Sequence, residues 1–218
     1  MILLVLQHDA DAPAGLLAEW AAARGVQLEV VRLDRGELVG EGIRSFDRVV
    51  TLGSEHAADD DAVPWQTVEQ ATLRAAEEAA IPILGICFGG QALARALGGG
   101  VRRAARPEIA SWVSIGARDG AFDDGPWFEW HRDEILPPDG AEILAANESG
   151  VQAFRLGPHV GLQFHPEVDE RIVGLWVDAA REDADVPPQV REQTAQLLAG
   201  SVRERAFALF DALLLTPG

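Results

Sequence analysis

The sequence predicts an α/β fold in which an open, mostly parallel sheet carries helices on both faces. In the first half of the chain, short apolar runs alternate with segments of helical pattern, as expected for strands joined by crossover helices. In the second half, short β-like runs recur between loops rich in Gly, Pro and Asp, which indicates an antiparallel or mixed extension of the sheet. We expect one domain over residues 1–218, with the helices of 169–218 as an extension of it.

The first half supplies four strands and three helices. Short buried apolar runs predict the strands, and glycine marks two of the helix ends. The segment Gln66–Ala80 is rich in alanine and glutamate and therefore favours a helix. The predicted elements are strand Ile2–Leu6, helix Ala14–Arg24 ended by Gly25, strands Leu28–Val31 and Arg48–Leu52, helix Gln66–Ala80, strand Ile81–Ile86, and helix Gln91–Leu97 closed by Gly98 and Gly99.

The second half of the chain has a different pattern of predicted elements. Five short runs have the character of strands, and from Asp169 onward the pattern is helical again, with Pro187-Pro188 separating two helices. The predicted elements are strands Trp112–Ile115, Trp127–Trp130, Glu142–Ala145, Val151–Arg155 and Val160–Phe164, and helices from Glu170 to about Ala180 and from about Pro188 to Leu215.

Composition excludes several classes of protein. The chain has 35 acidic and 18 basic residues and a net charge of −17, so we expect neither a nucleic-acid nor an anionic membrane partner. Every basic residue is an arginine, which rules out a Schiff-base lysine, a pyridoxal-phosphate anchor and a P-loop lysine. No Cys/His cluster suggests a metal, and we expect no cofactor. Without a signal-peptide pattern or an apolar span, we expect a cytoplasmic location.

The stretch IPILGICFGGQALARALGG, residues 81–99, carries the strongest chemical signal. A buried strand breaks at Gly85-Ile86-Cys87-Phe88-Gly89 and a helix follows. This G-x-C-x-G pattern is the thiol counterpart of the G-x-S-x-G nucleophile elbow. Such a turn sets Cys87 at a helix N-terminus, where the dipole and free N–H groups favour the reactive thiolate. Cys87 is therefore the candidate nucleophile.

A thiol nucleophile needs a base, and His165 is the best placed of the five histidines. It directly follows an apolar run, in Gly161-Leu162-Gln163-Phe164-His165-Pro166-Glu167. Residues two apart in an extended segment face the same way, so Glu167 can hold one imidazole nitrogen and leave the other for the thiol. This is the logic of nucleophile, base and orienting carboxylate.

Together, GICFGGQ and GLQFHPE resemble the class I (triad-type) glutamine amidotransferases, the family that includes the glutaminase domain of GMP synthase. The resemblance runs from the first strand to about Val168. It extends to PWQTVEQATLRAAEEAAIPILGICFGGQALARALGG and WHRDEILPPDGAEILA, which look like stand-alone members of the family. It implies a flavodoxin-like fold. It also implies hydrolysis of glutamine through a γ-glutamyl thioester on Cys87, with His165 as base and then acid and Glu167 orienting it.

The resemblance also implies further site residues. The oxyanion donors would be the N–H of Phe88 and a loop containing Gly53 and Ser54, where the family usually shows Gly-Gly-Pro. The N–H survives a serine, but a left-handed backbone there would be strained. Gln91 would help to hold the substrate glutamine. His131 is a second-rank positioning candidate, because Arg132 replaces the glycine of the family's usual His-Gly pair.

Two other functions stay open at this point. The same triad could serve a γ-glutamyl hydrolase or transferase acting on another γ-glutamyl amide, with a wider cleft. A non-catalytic regulatory module could keep the fold, although a scaffold has no physical need for Cys87, His165 and Glu167 together. The sequence shows no ATP-binding Ser-Gly-Gly-x-Asp-Ser loop. If ammonia goes to an acceptor, we expect a separate synthetase or acceptor subunit to supply that chemistry.

Overall fold

The computed structural model describes residues 1–39, 42–105, 108, 110–118, 120, 122–180 and 184–216. Its strands are β1 (Ile2–Gln7), β2 (Gln27–Arg32), β3 (Arg48–Thr51), β4 (Ile83–Ile86), β5 (Gly100–Arg103), β6 (Ser111–Val113), β7 (Trp127–Glu129), β8 (Asp133–Leu136), β9 (Glu142–Asn147), β10 (Gly150–Leu156) and β11 (His159–Leu162). Its α-helices are α1 (Gly15–Arg24), α2 (Pro64–Glu78), α3 (Phe88–Ala96), α4 (Glu170–Asp178), α5 (Val190–Ala199) and α6 (Val202–Phe210).

The centre of the fold is a seven-stranded sheet in the order β2-β1-β3-β4-β11-β10-β9. Neighbouring strands are parallel from β2 to β11, whereas β10 and β9 pair antiparallel at the edge. The predicted mostly parallel sheet with an antiparallel extension is confirmed. Two further antiparallel pairs of strands, β5 with β8 and β6 with β7, lie outside this sheet.

Alternate residues of β1 belong to two different apolar cores, which shows that helices cover both faces of the sheet. Leu3 and Val5 pack in a cluster with side chains of α1 and α6. Leu4 and Leu6 pack in a second cluster with side chains of α2 and α3. Successive side chains of a strand point to opposite faces, so the continuous apolar run of β1 is required by burial on both sides.

Several element boundaries differ from the sequence-based predictions. Strands β5 and β8 were not predicted, and the single helix expected from about Pro188 to Leu215 is instead two helices. Gly200, with ψ −134°, leaves the helical region and separates α5 from α6, as expected of a residue with poor helix propensity. Helix α3 begins at Phe88, three residues earlier than expected, directly after the cysteine.

The C-terminal part of the chain contacts both the separate β6–β7 pair and the central sheet. Trp112 of β6 donates its indole N–H to Thr194 of α5, and Arg48 of β3 donates to the carbonyl oxygen of Leu214. A single domain over 1–218 stays a prediction, and residues 181–183 and 217–218 of its C-terminal extension lie outside the described residues. Within the described part of the chain, no helix is long and apolar enough to cross a membrane.

Candidate active site

Cys87 occupies a sharp turn between β4 and α3. Its backbone has φ 52° and ψ −110°, an unusual conformation for a residue with a side chain, and it forms the N-cap of α3. Such strain persists only where the surroundings enforce it. Its N–H donates to the carbonyl oxygen of Leu162 over 2.8 Å, and its carbonyl oxygen accepts from the N–H of Gln91 over 3.0 Å. The strand before and the helix after thus fix the turn.

The glycines around the cysteine are required by close backbone contacts. A Cβ atom on Gly89 would lie 2.1 Å from the carbonyl oxygen of Thr51, at the end of β3. A Cβ on Gly85 would lie 2.4 Å from the carbonyl oxygen of Gly89. Both distances are far inside van der Waals contact, so any side chain would push the turn away from the sheet. The G-x-C-x-G spacing therefore reflects packing as well as chain reversal.

His165 and Glu167 follow β11, the strand that lies beside β4. The N–H of His165 donates to the carbonyl oxygen of Phe128 in β7 over 2.8 Å, which anchors its backbone. Its Nδ1 lies 2.7 Å from Oε1 of Glu167, and both side chains are only 3% exposed. With Nδ1 held by a carboxylate, Nε2 is left for the Cys87 sulfur. The i, i+2 arrangement expected from the sequence is present.

The surroundings of His165 act on its charge in opposite directions. Burial lowers its pKa, whereas the charges of Cys87 and Glu167 and hydrogen bonds to both raise it. The net pKa lies well above the ordinary histidine value. The indole of Trp176 packs edge-on against the imidazole, with ring centroids 4.9 Å apart. The structure therefore favours an imidazolium between the sulfur and the carboxylate.

Gln163 is a contact of the cysteine that sequence reasoning missed. Its Nε2 lies 3.6 Å from Sγ of Cys87, and the residue is fully buried. The thiol in turn lies 3.9 Å from the carbonyl oxygen of Trp130. The available signal was the spacing, because Gln163 precedes His165 by two residues in an extended segment and so shares its face.

The loop after β3 and the start of α3 present two backbone donors at one cavity. Among the described residues, nothing accepts a hydrogen bond from the N–H of Ser54 or of Phe88. Neither Gly53 nor Ser54 has a positive φ, so the serine fits this loop without strain. The strain that a left-handed backbone would cause at a serine is therefore absent at Ser54. Gly53 also lies against the imidazole, since a Cβ on it would be 3.2 Å from Cε1 of His165.

Gln91 and His131 both lie at this cavity, and both are held by other protein groups. Gln91 donates from Nε2 to the carbonyl oxygen of Asp133 over 2.9 Å and faces Oε1 of Gln163 at 3.3 Å. Its own Oε1 is left to accept from a ligand. The Nδ1 of His131 lies 2.9 Å from the Asp133 carbonyl oxygen, and its Nε2 lies 3.4 Å from Glu129. His131 thus forms part of the cavity wall.

The cavity above Cys87 has a volume of about 150 Å³ and an acidic rim. Arg132 crosses this rim, donating to the carbonyl oxygen of Glu55 and lying 3.6 Å from the carboxylate of Glu108. Asp9, Glu55 and His56 approach one another closely enough to hold a cation, but exposed acidic groups often cluster without one. We assign no metal to them. The cavity is lined by the predicted residues Gly53, Ser54, Cys87, Phe88, Gln91, His131 and His165.

Comparison with known proteins agrees with this geometry. The family model for class-I glutamine amidotransferases matches residues 14–174. The glutamine-hydrolyzing GMP synthase subunit of Saccharolobus solfataricus is 34% identical over 146 residues, which are 63% of this chain and 76% of that protein. Its counterpart from Sulfolobus acidocaldarius is 41% identical over 106 residues, or 44% of this chain and 56% of that protein.

Solved structures show the same fold at lower sequence identity. A glutamine amidotransferase from Methylobacillus flagellatus superposes with a TM-score of 0.87 at 24% identity, covering 98% of this chain and 94% of the other. One from Thermotoga maritima gives 0.83 at 24% identity, with coverages of 98% and 96%. Because the family model matches most of the chain, the protein belongs to the class-I glutamine amidotransferase family.

Proposed function

We propose that this protein hydrolyses the side-chain amide of L-glutamine to glutamate and ammonia, with Cys87 as the nucleophile. The observation that carries the proposal is a set of three buried groups, of which Cys87 and His165 line the cavity and Glu167 holds His165 from behind. The Nδ1 of His165 lies 2.7 Å from Oε1 of Glu167, and Cys87 and His165 line the same cavity, where the charge of Cys87 raises the pKa of the imidazole. A nucleophile, a base and a group that orients the base are what acyl transfer requires.

In the first half of the reaction, the sulfur forms a bond to the amide carbon. The carbonyl oxygen becomes an oxyanion, which the free N–H groups of Phe88 and Ser54 stabilise. The His165 imidazolium then gives its proton to the departing nitrogen, the C–N bond breaks, and ammonia leaves a γ-glutamyl thioester on Cys87. Glu167 stabilises the charged imidazole and keeps Nε2 directed at the reacting atoms.

In the second half, water replaces ammonia. Neutral His165 takes a proton from water as the water oxygen attacks the thioester carbon, and the same two N–H groups hold the new oxyanion. The C–S bond then breaks, which releases glutamate and restores the thiolate beside the imidazolium. Gln163 donates to the sulfur in both halves of the cycle. Gln91 offers its free oxygen to the ammonium group of the substrate.

We further propose that the ammonia is passed to an acceptor held on a separate protein. The chain contains no lysine for holding nucleotide phosphates. The relatives from Saccharolobus solfataricus and Sulfolobus acidocaldarius are each named as one subunit of GMP synthase, which supports delivery to a partner.

The test is glutamate release from L-glutamine by the wild type beside Cys87→Ala. Since Cys87 is the only cysteine in the chain, labelling of sulfur reports on this residue alone. The glutamine analogue 6-diazo-5-oxonorleucine alkylates a thiolate with loss of dinitrogen, and intact-mass spectrometry detects the adduct. We expect release and labelling by the wild type and neither by the variant.

Other outcomes separate the alternatives. Labelling without glutamate release would indicate a glutamine site that a partner must activate, and it would contradict a self-sufficient glutaminase. A wild type that neither releases glutamate nor becomes labelled, but that cleaves a γ-glutamyl anilide, would favour the γ-glutamyl hydrolase. Retention of full glutaminase activity by Cys87→Ala would overturn the assignment of the nucleophile.

A further inference from the structure

A buried pair of ionisable side chains lies directly behind the loop that holds Gly53 and Ser54. His8, just after β1, is 0% exposed, and Glu69 of α2 is 1% exposed. The Nε2 of His8 lies 3.0 Å from Oε1 of Glu69, and the hydroxyl of Thr51 donates to the same oxygen. The Nδ1 of His8 lies 3.3 Å from the carbonyl oxygen of Gly53. None of the reaction steps described above uses this pair.

The partners of His8 determine its protonation. A carbonyl oxygen can only accept, so Nδ1 must carry a proton. The carboxylate oxygen facing Nε2 already accepts from Thr51, which favours a proton on Nε2 as well. Burial lowers the pKa of His8, whereas the charge of Glu69 and the hydrogen bonds to Glu69 and Gly53 raise it, with a raised pKa as the net result. Both observations indicate an imidazolium.

Such a pair is a poor way to stabilise a core. The rings of Trp65 and Phe88 lie 4.8 Å and 4.9 Å from the His8 ring, so the charges are surrounded by apolar groups. Removing two charges from water is costly, and apolar side chains of similar volume would stabilise the fold at least as well. We therefore look for a group that the pair holds in position, and the group that His8 contacts is the Gly53 carbonyl.

That carbonyl belongs to the peptide unit that also carries the N–H of Ser54. A trans peptide is planar, and its C=O and N–H point in opposite directions. His8 holds the oxygen from inside the protein and is absent from the cavity lining, whereas Gly53 and Ser54 line the cavity. Fixing the oxygen inward therefore fixes the N–H of Ser54 toward the cavity.

We propose that His8, held by Glu69, is a positioning residue that orients the Gly53–Ser54 peptide so that the Ser54 N–H can stabilise the oxyanion. This inference rests on the proposed glutaminase function. His8 is absent from the cavity lining and acts through the peptide whose carbonyl oxygen it contacts. Because the oxyanion develops only during the reaction, its effect falls on kcat and leaves KM nearly unchanged.

The matched variants His8→Asn and His8→Gln separate positioning from general support. The asparagine amide nitrogen lies near the position of Nδ1 and still reaches the Gly53 carbonyl, whereas the glutamine amide nitrogen lies near Nε2 and reaches Glu69. We expect His8→Asn to retain kcat within about threefold and His8→Gln to lose about 10- to 100-fold, as for a misplaced oxyanion donor. If both variants keep the wild-type kcat, or if His8→Gln is the more active of the two, the proposal is wrong.

Alkylation of Cys87 by iodoacetamide supplies a readout that a structural role would disturb. This displacement forms no oxyanion, so we expect both variants to be alkylated at the wild-type rate. Loss of alkylation in parallel with kcat would show general damage to the site and overturn the proposal. A crystal structure of His8→Gln gives a test independent of turnover, in which we expect the Gly53–Ser54 peptide to rotate, and an unchanged peptide would contradict the inference. A wild type without glutaminase activity would count against the proposed function instead.

Discussion

The backbone N–H of Cys87 lies 2.8 Å from the carbonyl oxygen of Leu162 and joins two segments that are far apart in the sequence. Strands β4 and β11 run parallel with Ile86 opposite Leu162, and this bond continues their ladder one residue beyond the strand ends. The residues that follow each strand, the nucleophile on one side and Gln163 and His165 on the other, are therefore held together by the sheet itself. The candidate site depends on backbone register more than on any side-chain contact.

The first prediction concerns the close approach of the elbow to the sheet. Gly89→Ala would place a Cβ 2.1 Å from the Thr51 carbonyl oxygen, and both groups belong to fixed backbone. We expect the free energy of unfolding to fall by about 1–3 kcal/mol or more, as for an overpacked core. Gly100→Ala is the matched control, because its Cβ would meet only a Leu136 methyl group at 4.0 Å. Urea denaturation should show a loss for the first variant and almost none for the second.

The second prediction uses the strained backbone at Cys87. With φ 52° this residue lies where glycine is favoured, and the strain costs on the order of 1–3 kcal/mol. Cys87→Gly relieves the strain and Cys87→Ala retains it, although glycine gains about 0.4–1 kcal/mol of unfolded-state entropy. We therefore expect Cys87→Gly to be about 1 kcal/mol more stable than Cys87→Ala in thermal or chemical unfolding. The reverse order would contradict a strained elbow.

The sequence was sufficient to locate the elbow, the histidine after β11 and its carboxylate, because each depends on local spacing. The parallel core was predictable for the same reason, since buried runs separated by helices have few other solutions. The pairing of β4 with β11 was not predictable, because the partner residues Ile86 and Leu162 are far apart in the sequence. Strand β8, at Asp133–Leu136, was missed because two charged residues precede only two apolar ones. His159 lies just outside the predicted strand Val160–Phe164, yet it is buried as the first residue of β11.

Contacts behind the cavity were also beyond sequence reasoning. His8 follows strand β1, and it faces Glu69 and the Gly53 carbonyl from inside the protein. Its partner comes from α2, and no local spacing links the two. The harmless serine at position 54 could be recognised only from the backbone angles, because a motif comparison shows a missing glycine without showing whether its φ is positive.

The third prediction concerns the amide that faces the sulfur. Gln163→Leu keeps the volume but removes the Nε2 donor 3.6 Å from Sγ. A hydrogen bond to a charged group is worth about 1.5–3 kcal/mol, so its loss leaves a smaller fraction of Cys87 as thiolate. A less stabilised thiolate is also more nucleophilic, and this offsets about half of the effect on the alkylation rate. We therefore expect alkylation of Cys87 to slow about three- to tenfold on the acid side of its pH profile.

Gln152→Leu is the control for this experiment. Gln152 is fully buried in the neighbouring strand β10, and its amide nitrogen faces Asn147 rather than the sulfur. Both substitutions should destabilise the fold, because each removes a side-chain hydrogen bond made by a buried glutamine. Only Gln163→Leu should slow alkylation, and equal rates in the two variants would show that the amide does not act on the thiolate.

The fourth prediction follows from the charges around His165. Burial lowers its pKa, the charges of Cys87 and Glu167 raise it, and the net pKa lies well above the ordinary value of about 6.5. Protonation of the departing ammonia needs the imidazolium, so acylation should fail as the pH rises through this pKa. Glu167→Gln removes one raising charge while the burial stays. We therefore expect the alkaline limb of kcat/KM to move to lower pH, with a reduced maximum. The control is Glu170→Gln, at an exposed position nearby in the sequence, which should leave the alkaline limb in place. An alkaline limb that stays in place or moves to higher pH in Glu167→Gln would rule out Glu167 as the partner that stabilises the imidazolium.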